Sequence, residues 1–311
     1  MKTAVILLNW NGADDTVMCL DSLVNAKGDF FTVVVDNGSS DDSVKRLRQY
    51  KDSSSLDIRL LELDRNYGFA GGNNRGVRLA SEDKPDAYLL LNNDTEVTPD
   101  FLERLEGFIS AHKDYSILTP RINYYYDKSK IWNCGGTLRL GFRKYRYAGC
   151  NEDKVKGKDF LHISFITGCA LFCLPSVLEP DGTLLTERFF FGEEDFDFSM
   201  RMKKRGLKMA CVMDSVIYHK VGSAGNMMAK SGKVYLHLLN RYVDIRLNRN
   251  RLFSFMWRVV SFPFTMRSLK RAFGPAAMSR YRRLLSDMRS KDSVDRSVFE
   301  SLVIKEDYFN E

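Results

Sequence analysis

The first 95 residues set the strongest constraint on the fold, because short apolar runs alternate there with amphipathic stretches. The runs at 3–9, 31–36, 56–63 and 87–92 are β-branched or leucine-rich and read as strands. Helical patterns fall near 14–25, 43–51 and 71–80, with Asp14 and Asp41 where N-caps are expected. Strands that are apolar on both faces need cover on both faces. The rhythm therefore predicts an α/β fold with a mostly parallel central sheet and helices on both sides.

Sheets of this kind bind ligands beyond the carboxyl ends of their strands, where the strand order reverses. Those ends carry Asn9-Trp10-Asn11-Gly12, then Asp36-Asn37-Gly38-Ser39-Ser40, then the stretch from Arg65 to Asn74, then Asn92-Asn93-Asp94. Ordinary turn chemistry explains any one of them. Four in succession place polar and glycine residues on one rim and point to a ligand site. The Gly-x-Gly-x-x-Gly fingerprint of dinucleotide domains is absent after the first strand, and so is a Walker-type phosphate loop.

Beyond Pro99 the pattern changes to a helix at 100–112, an aromatic stretch at 122–126 and a polar, basic segment at 139–158 that suits a mobile surface loop. A buried strand-like run at 160–175 and a strand at 207–212 follow. Between them Glu193, Glu194, Asp195 and Asp197 crowd the start of a helix among phenylalanines. Two readings stand: acids favoured by the helix dipole, or a partly desolvated carboxylate serving as general base. Arg201 lies one turn beyond Asp197 and is expected to brace it. Asp94, delivered by an apolar strand, suits Mg²⁺ or Mn²⁺ on a diphosphate, which needs only one or two protein carboxylates; a turn aspartate is the equal alternative. His219 ends the run Val216-Ile217-Tyr218 and is either structural or part of the same metal shell.

From Lys233 onward the chain reads as helices, with breaks near Pro263 and Gly274-Pro275. The net charge of +7 hides an asymmetry: residues 246–291 hold ten Arg and two Lys against one acid, a balance of +11 that leaves −4 for the rest. Basic residues there alternate with Phe253, Phe255, Met256, Trp257, Phe262 and Phe264, which suits an anionic membrane surface. An amphipathic helix over a core, or a homodimer interface, are the alternatives. No nucleic-acid module is present, so no nucleic acid is expected as a partner. The six cysteines lack Cys-x-x-Cys spacing and read as reduced structural thiols. No apolar run reaches the roughly 18 residues of a membrane span. The opening run Ala4-Val5-Ile6-Leu7-Leu8 is too short for a signal-peptide core. A cytoplasmic protein is expected.

Taken together, the motifs resemble the family 2 glycosyltransferases, in particular the bacterial rhamnosyltransferase-like branch that builds surface polysaccharides. The carriers are Asn9-Trp10-Asn11-Gly12, Asp36-Asn37-Gly38-Ser39-Ser40-Asp41, the stretch from Asn66 to Gly76, Asn92-Asn93-Asp94, Thr167-Gly168-Cys169-Ala170, Glu194-Asp195-Phe196-Asp197 and Tyr218-His219. The resemblance implies a GT-A fold and an inverting mechanism. It implies that Asp36 recognises the nucleotide base, with Asn9, Asn11 and Asn37 lining the nucleoside pocket and Asn93 beside it. It implies a loop at 68–74, including Gly68, Gly71 and Asn74, that closes over the donor. Asp94 would hold Mg²⁺ or Mn²⁺, His219 would lie near the metal, and Gly168 and Cys169 would face the acceptor. Asp195 is implied as the base, with Glu194 second; Glu193 leaves the register open by one residue. The family's usual Asp-x-Asp is here Asn92-Asn93-Asp94. The implied donor is a dTDP- or UDP-sugar and the acceptor a glycan or lipid-linked glycan, with the enzyme peripheral on the inner face of the cell membrane. The expected organisation is a catalytic domain at 1–232, divided into a nucleotide-binding half (1–98) and an acceptor-binding half (99–232), and a basic helical region at 233–311. A sugar nucleotidyltransferase would need a Gly-rich, basic loop after the first strand, which is missing; a non-catalytic nucleotide-sugar-binding protein is the other alternative.

Overall fold

The computed structural model describes residues 1–221 and 230–303. Its opening half contains strands β1 (Lys2–Asn9), β2 (Asp29–Asp36), β3 (Ile58–Glu62) and β4 (Ala87–Asn92), joined by helices α1 (Ala13–Val24), α2 (Ser43–Ser53) and α3 (Gly68–Ser81). All four strands are parallel, in the order β4-β1-β2-β3. Side chains of β1 alternate between two cores. Ala4 and Ile6 join Val33, Val35 and the α3 residues Val77 and Ala80, while Val5 and Leu7 join Val34 and the α1 residues Cys19, Leu20 and Leu23. Helix α3 packs so closely that a Cβ on Gly76 would lie 2.6 Å from Ile6 Cγ2 and 2.8 Å from Val35 Cγ2. That contact explains the glycine.

The expected helix caps shift slightly. Gly12 occupies the N-cap of α1, so Asp14 stands in its first turn and pairs with Arg46. Asp42 occupies the N-cap of α2, and Asp41 Oδ1 accepts the Ser43 N–H at 3.0 Å. Both aspartates still sit at the positive end of a helix dipole.

The second half contains β5 (Thr95–Val97), α4 (Phe101–Ala111), β6 (Tyr115–Tyr124), β7 (Ile131–Asn133), β8 (Gly136–Arg139), β9 (Phe142–Tyr145), β10 (Phe160–Ile163), β11 (Ala170–Cys173), α5 (Glu194–Lys204) and β12 (Lys208–His219). Strand β11 inserts antiparallel between β4 and β6, and β12 runs parallel to β6. The sheet is thus parallel in its first half and mixed in its second.

Three expectations are corrected here. The run at 160–175 is two strands on different neighbours, β10 on β12 and β11 on β4. Strand β12 extends far past residue 212, through an irregularity between Val212 and Val216 that interrupts its apolar pattern. The segment at 139–158 is partly ordered: β8 and β9 form a hairpin whose two turn residues, Leu140 and Gly141, have φ of 50° and 76°. Two left-handed residues suit the twist of a tight hairpin, but leucine is an unusual occupant, and the sequence signal was lost with it.

Four helices complete the described chain: α6 (Lys230–Asn248), α7 (Arg251–Phe273), α8 (Pro275–Asp287) and α9 (Arg296–Val303). Pro263 does not end α7, which runs through it; Gly274, with φ of 82°, does. Residues 304–311 of the expected helical tail lie outside the described residues. The helices share a core of Tyr235, Leu239, Val243, Leu269 and Tyr281, joined by Phe189. All six cysteines are free thiols. Among the described residues no helix is long and apolar enough to cross a membrane.

Candidate active site

At the strand ends the polar groups lock one another into a shelf. The Asn9 side-chain amide, at the end of β1, donates to Asp36 Oδ2 at 2.7 Å, and Thr16 donates to Asn9 Oδ1 at 2.8 Å. Asp36, at the end of β2, also accepts the Ser39 N–H at 2.9 Å and the Ser39 hydroxyl at 2.7 Å. Ser39 Oγ accepts the Asn11 N–H at 2.9 Å, and Asn11 Oδ1 accepts the Ser40 N–H at 2.8 Å. Asn93 donates to Thr16 Oγ1 at 2.9 Å and so ties the turn after β4 into the same shelf. Buried polar groups must be satisfied, and here they satisfy each other across three strand ends.

Asn37 serves a different task. Its Oδ1 accepts the Tyr67 N–H at 3.0 Å, and its Nδ2 donates to Asn66 Oδ1 and to the Gly68 carbonyl at 3.0 and 3.1 Å. It thereby sets the start of α3. The segment 68–74, expected as a closing loop, is the first two turns of that helix. Gly68 has φ of 78°, and a Cβ there would lie 2.3 Å from the Phe190 carbonyl oxygen. Gly71 is buried beside Tyr67. Asn74 departs from the expected donor-lining position: its amide donates to the Leu185 carbonyl and Glu187 and accepts the N–H groups of Leu184 and Leu185. It clamps the segment that leads to the acidic cluster.

Asp94 and His219 are brought together by the sheet. The turn after β4 carries Asp94, and β5 pairs antiparallel with the end of β12, setting Thr95 opposite His219. His219 Nε2 lies 3.0 Å from Asp94 Oδ1, both side chains nearly buried. The Trp132 ring stands 4.4 Å from the imidazole. Cys169 sits against the same imidazole, and its carbonyl accepts the Asn92 N–H at 2.8 Å. A carboxylate oxygen and an imidazole nitrogen at this separation suit Mn²⁺, and the carboxylate alone suits Mg²⁺. Among the described residues no group of three or more His, Cys, Asp and Glu is arranged to hold a metal. An ion held by this pair would need oxygen ligands from outside the protein to complete its shell.

The acidic cluster sorts its carboxylates by environment. Glu193, with φ of 71°, is buried, and Arg241 Nε donates to its Oε2 at 2.7 Å; His237 Nδ1 lies at 3.2 Å and Arg143 Nη2 at 3.4 Å. Burial alone would raise its pKa, but His237, Arg241 and Arg143 hold it down at about 2. Glu194 is also buried and accepts the Gly192 N–H at 2.7 Å; burial pushes it up to about 8, with the charges of Asp195 and Glu193 adding to the effect. Asp195 keeps 23% of its side chain exposed, with Arg143 Nη1 3.6 Å from its Oδ1. Burial pushes it up to about 6, with Arg143 opposing and Glu193 reinforcing the rise. Asp197 accepts Arg201 Nε at 2.7 Å and Asn248 Nδ2 at 2.9 Å, so the expected brace is present and Asp197 joins α5 to α6.

One segment connects the two centres. Ile166 N–H donates to Ser199 of α5 at 3.1 Å, a Cβ on Gly168 would lie 3.1 Å from the Phe69 ring, and Cys169 reaches His219. Gly168 and Cys169 thus lie on the segment that links the Asp94–His219 pair to α5.

The sequence model of the family described as Glycosyl transferase family 2 matches residues 4–179, more than half of the chain. The chain belongs to glycosyl transferase family 2. This glycosyltransferase is 28% identical over 256 residues to the low-salt glycan biosynthesis hexosyltransferase Agl10 of Haloferax volcanii, covering 81% of this chain and 76% of the relative. Among solved structures it is similar to the mannosyltransferase PcManGT of Pyrobaculum calidifontis in complex with GDP-Man and Mn²⁺, with a TM-score of 0.58 and 15% identity over 92% of this chain and 74% of the other. It is likewise similar to S. aureus TarS 1–349 in complex with UDP-GlcNAc, with a TM-score of 0.61 and 16% identity over 97% of this chain and 84% of the other. These likenesses show the GT-A fold. Family membership also sets aside the nucleotidyltransferase and non-catalytic readings.

Sequence reasoning missed Arg143, His237 and Arg241. Arg143 lay in a segment read as loop, and Arg241 is 48 residues from the Glu193 it neutralises, so no local spacing marks either. Thr16, bonded to Asn9, Gly12 and Asn93, was hidden inside α1; Ser39, already part of the rim motif after β2, bonds to Asn9, Asn11 and Asp36.

Proposed function

We propose that this glycosyltransferase moves a hexose, rhamnose or a close relative of it, from a nucleoside diphosphate donor to a hydroxyl of a glycan or lipid-linked glycan, with inversion at the anomeric carbon. The observation that carries the reading is the division of labour among three successive carboxylates. Glu193 is neutralised by cations, Glu194 is buried and protonated at neutral pH, and Asp195 alone is both accessible and poised near pH 6. Inverting transfer needs one such base. Asp195 accepts the proton of the acceptor hydroxyl as its oxygen attacks the anomeric carbon, and the bond to the diphosphate breaks with its electrons leaving on the nucleotide.

The shelf of Asp36, Asn9, Asn11 and Asn93 supports recognition of the nucleoside. Gly68 and Gly71 lie in the first turn of α3, whose start Asn37 fixes, and that turn would border the rest of the donor. Asp94 and His219 would hold Mg²⁺ or Mn²⁺, which supplies charge neutralisation for the departing diphosphate. The Mn²⁺ bound by PcManGT supports this, as does the donor bound there and in TarS. Gly168 and Cys169 flank the acceptor side. The role of Agl10 as a hexosyltransferase of glycan biosynthesis supports a hexose and a glycan product.

The test is a screen of dTDP-, UDP- and GDP-sugars by binding and nucleotide release, followed by the anomeric configuration of the product by NMR. At least one hexose donor is expected to bind and turn over with inversion. Failure of every donor, or a product of retained configuration, overturns the reading.

A further inference from the structure

The outer face of α7 is apolar without interruption. Every exposed residue from 252 to 264 is apolar, and Leu252, Phe255, Met256, Val259, Val260 and Phe264 are each 56–69% exposed. Scattered exposed apolar residues are ordinary, but a continuous stripe of this kind marks a contact surface. Phe253 and Trp257 turn the other way and pack against Phe165, Phe196 and Ile245. The stripe ends in exposed cations on both sides, Arg249 and Arg251 before it and Arg267, Lys270 and Arg271 after it, and α7 contains no acidic residue.

The tip of the β8–β9 hairpin stands beside this stripe. Leu140 and Phe142 are 65% and 51% exposed, and the Phe142 ring lies 6.1 Å from Trp257 of α7. Arg241 donates to the Gly141 carbonyl at 3.1 Å and holds the tip in place. The residue after Phe142 is Arg143, which reaches Asp195. The exposed apolar surface and the accessible carboxylate are thus joined through a single short hairpin.

We propose that α7 and the hairpin tip form the surface by which this enzyme lies on an anionic lipid bilayer. The stripe of 13 residues is about 20 Å long, at roughly 1.5 Å per residue, against about 30 Å of hydrocarbon, so the helix lies in the membrane plane. Its basic ends face acidic headgroups while the apolar face enters the acyl boundary. A second copy of this chain on the same face would bring two sets of cations together, which charge complementarity disfavours. Membrane contact stands without the proposed transfer. Its consequence, that a lipid-borne acceptor meets Asp195 beside the bilayer, rests on that reading.

The experiment is co-sedimentation of the purified full chain with phosphatidylcholine vesicles, with and without phosphatidylglycerol. Binding is expected to be at least about tenfold tighter with phosphatidylglycerol. Phe255→Ser/Val259→Ser is expected to weaken it about tenfold, and Arg267→Gln/Lys270→Gln to weaken it about tenfold in a salt-sensitive manner, each with unchanged melting temperature and donor affinity. Phe142→Ser, on the hairpin alone, is expected to give a smaller loss and guards against a helix-specific artefact. Absence of wild-type binding, or equal partitioning of wild type and all variants, overturns the proposal. So does a wild-type dimer that Phe255→Ser/Val259→Ser converts to monomer, because a second copy would then cover the face. Vesicle binding by an enzyme that turns over no sugar nucleotide would leave the surface standing and remove only the transfer reading.

Discussion

At the rim of β1, β2 and β4 the polar groups are mostly neutral amides and hydroxyls supplied by segments that lie close together along the first 95 residues. In the acidic cluster the groups are adjacent carboxylates, and the cations that sort them come from β9 and α6. The rim gains definition from mutual hydrogen bonding around the Asp36 carboxylate. The cluster gains its chemistry from unequal pairing: burial raises all three carboxyls, and the cations against Glu193 pull that one back down to about 2. Arg241 also lies over the Phe196 ring at 3.4 Å, so the cation that neutralises Glu193 is itself packed by the helix it serves. A hydrogen-bonded shelf suits holding a ligand; a field-sorted cluster suits moving a proton.

The two regions should differ most at Asp195. Asp195→Asn is expected to lower kcat by about 10²- to 10⁴-fold, the usual worth of a general base, while the donor dissociation constant measured calorimetrically stays within twofold or so. Near-wild-type turnover would remove the distinction between the two regions. On the rim side, Asp94→Asn is expected to cost on the order of a hundredfold in turnover, since charge neutralisation at a departing diphosphate is worth several kcal/mol. Chelation of the wild-type enzyme with EDTA should stop transfer, and added Mn²⁺ or Mg²⁺ should restore it. Transfer that continues at full rate in EDTA would sink the metal assignment and leave the base untouched.

A subtler effect is expected at Arg143. Asp195 must be ionised to act, so kcat should rise with pH through about 6. Arg143 lowers that pKa; Arg143→Gln should therefore move the acid limb of the pH–rate profile upward, toward neutrality. An unmoved limb would show that Arg143 does not set the field at the base. The smallest effect belongs to Glu194. Its carboxyl is neutral at pH 7 and accepts one backbone N–H, a role that glutamine reproduces. Glu194→Gln should change turnover less than about threefold, and a large loss there would transfer the base assignment to Glu194.

The half of the molecule that was legible from the residues is the half built from local rules. Strands β1, β2 and β4 were readable because both their faces are buried, and their ends were readable because ligand rims in such sheets follow strand direction. The second half was harder for identifiable reasons. An irregularity after Val212 disguised the length of β12, a leucine in a left-handed turn disguised the hairpin, and Pro263 sits inside a continuous helix. Asn74 looked like a donor contact because its neighbours do, yet its hydrogen bonds go to 184–187.

The sequence by itself determined the α/β class, the polar rim, the glycosyltransferase resemblance and the short list of acids from which a base had to come. Periodicity and residue chemistry are local properties and survive being read in one dimension. Only the tertiary structure decided which acid stays accessible and which distant groups meet. Asp94 meets His219 because β5 pairs with β12, and Asp195 differs from Glu193 because Arg241 and His237 arrive on α6. A carboxylate's ionisation depends on the dielectric and charges within a few ångströms, and those neighbours are set by packing between segments far apart in the chain.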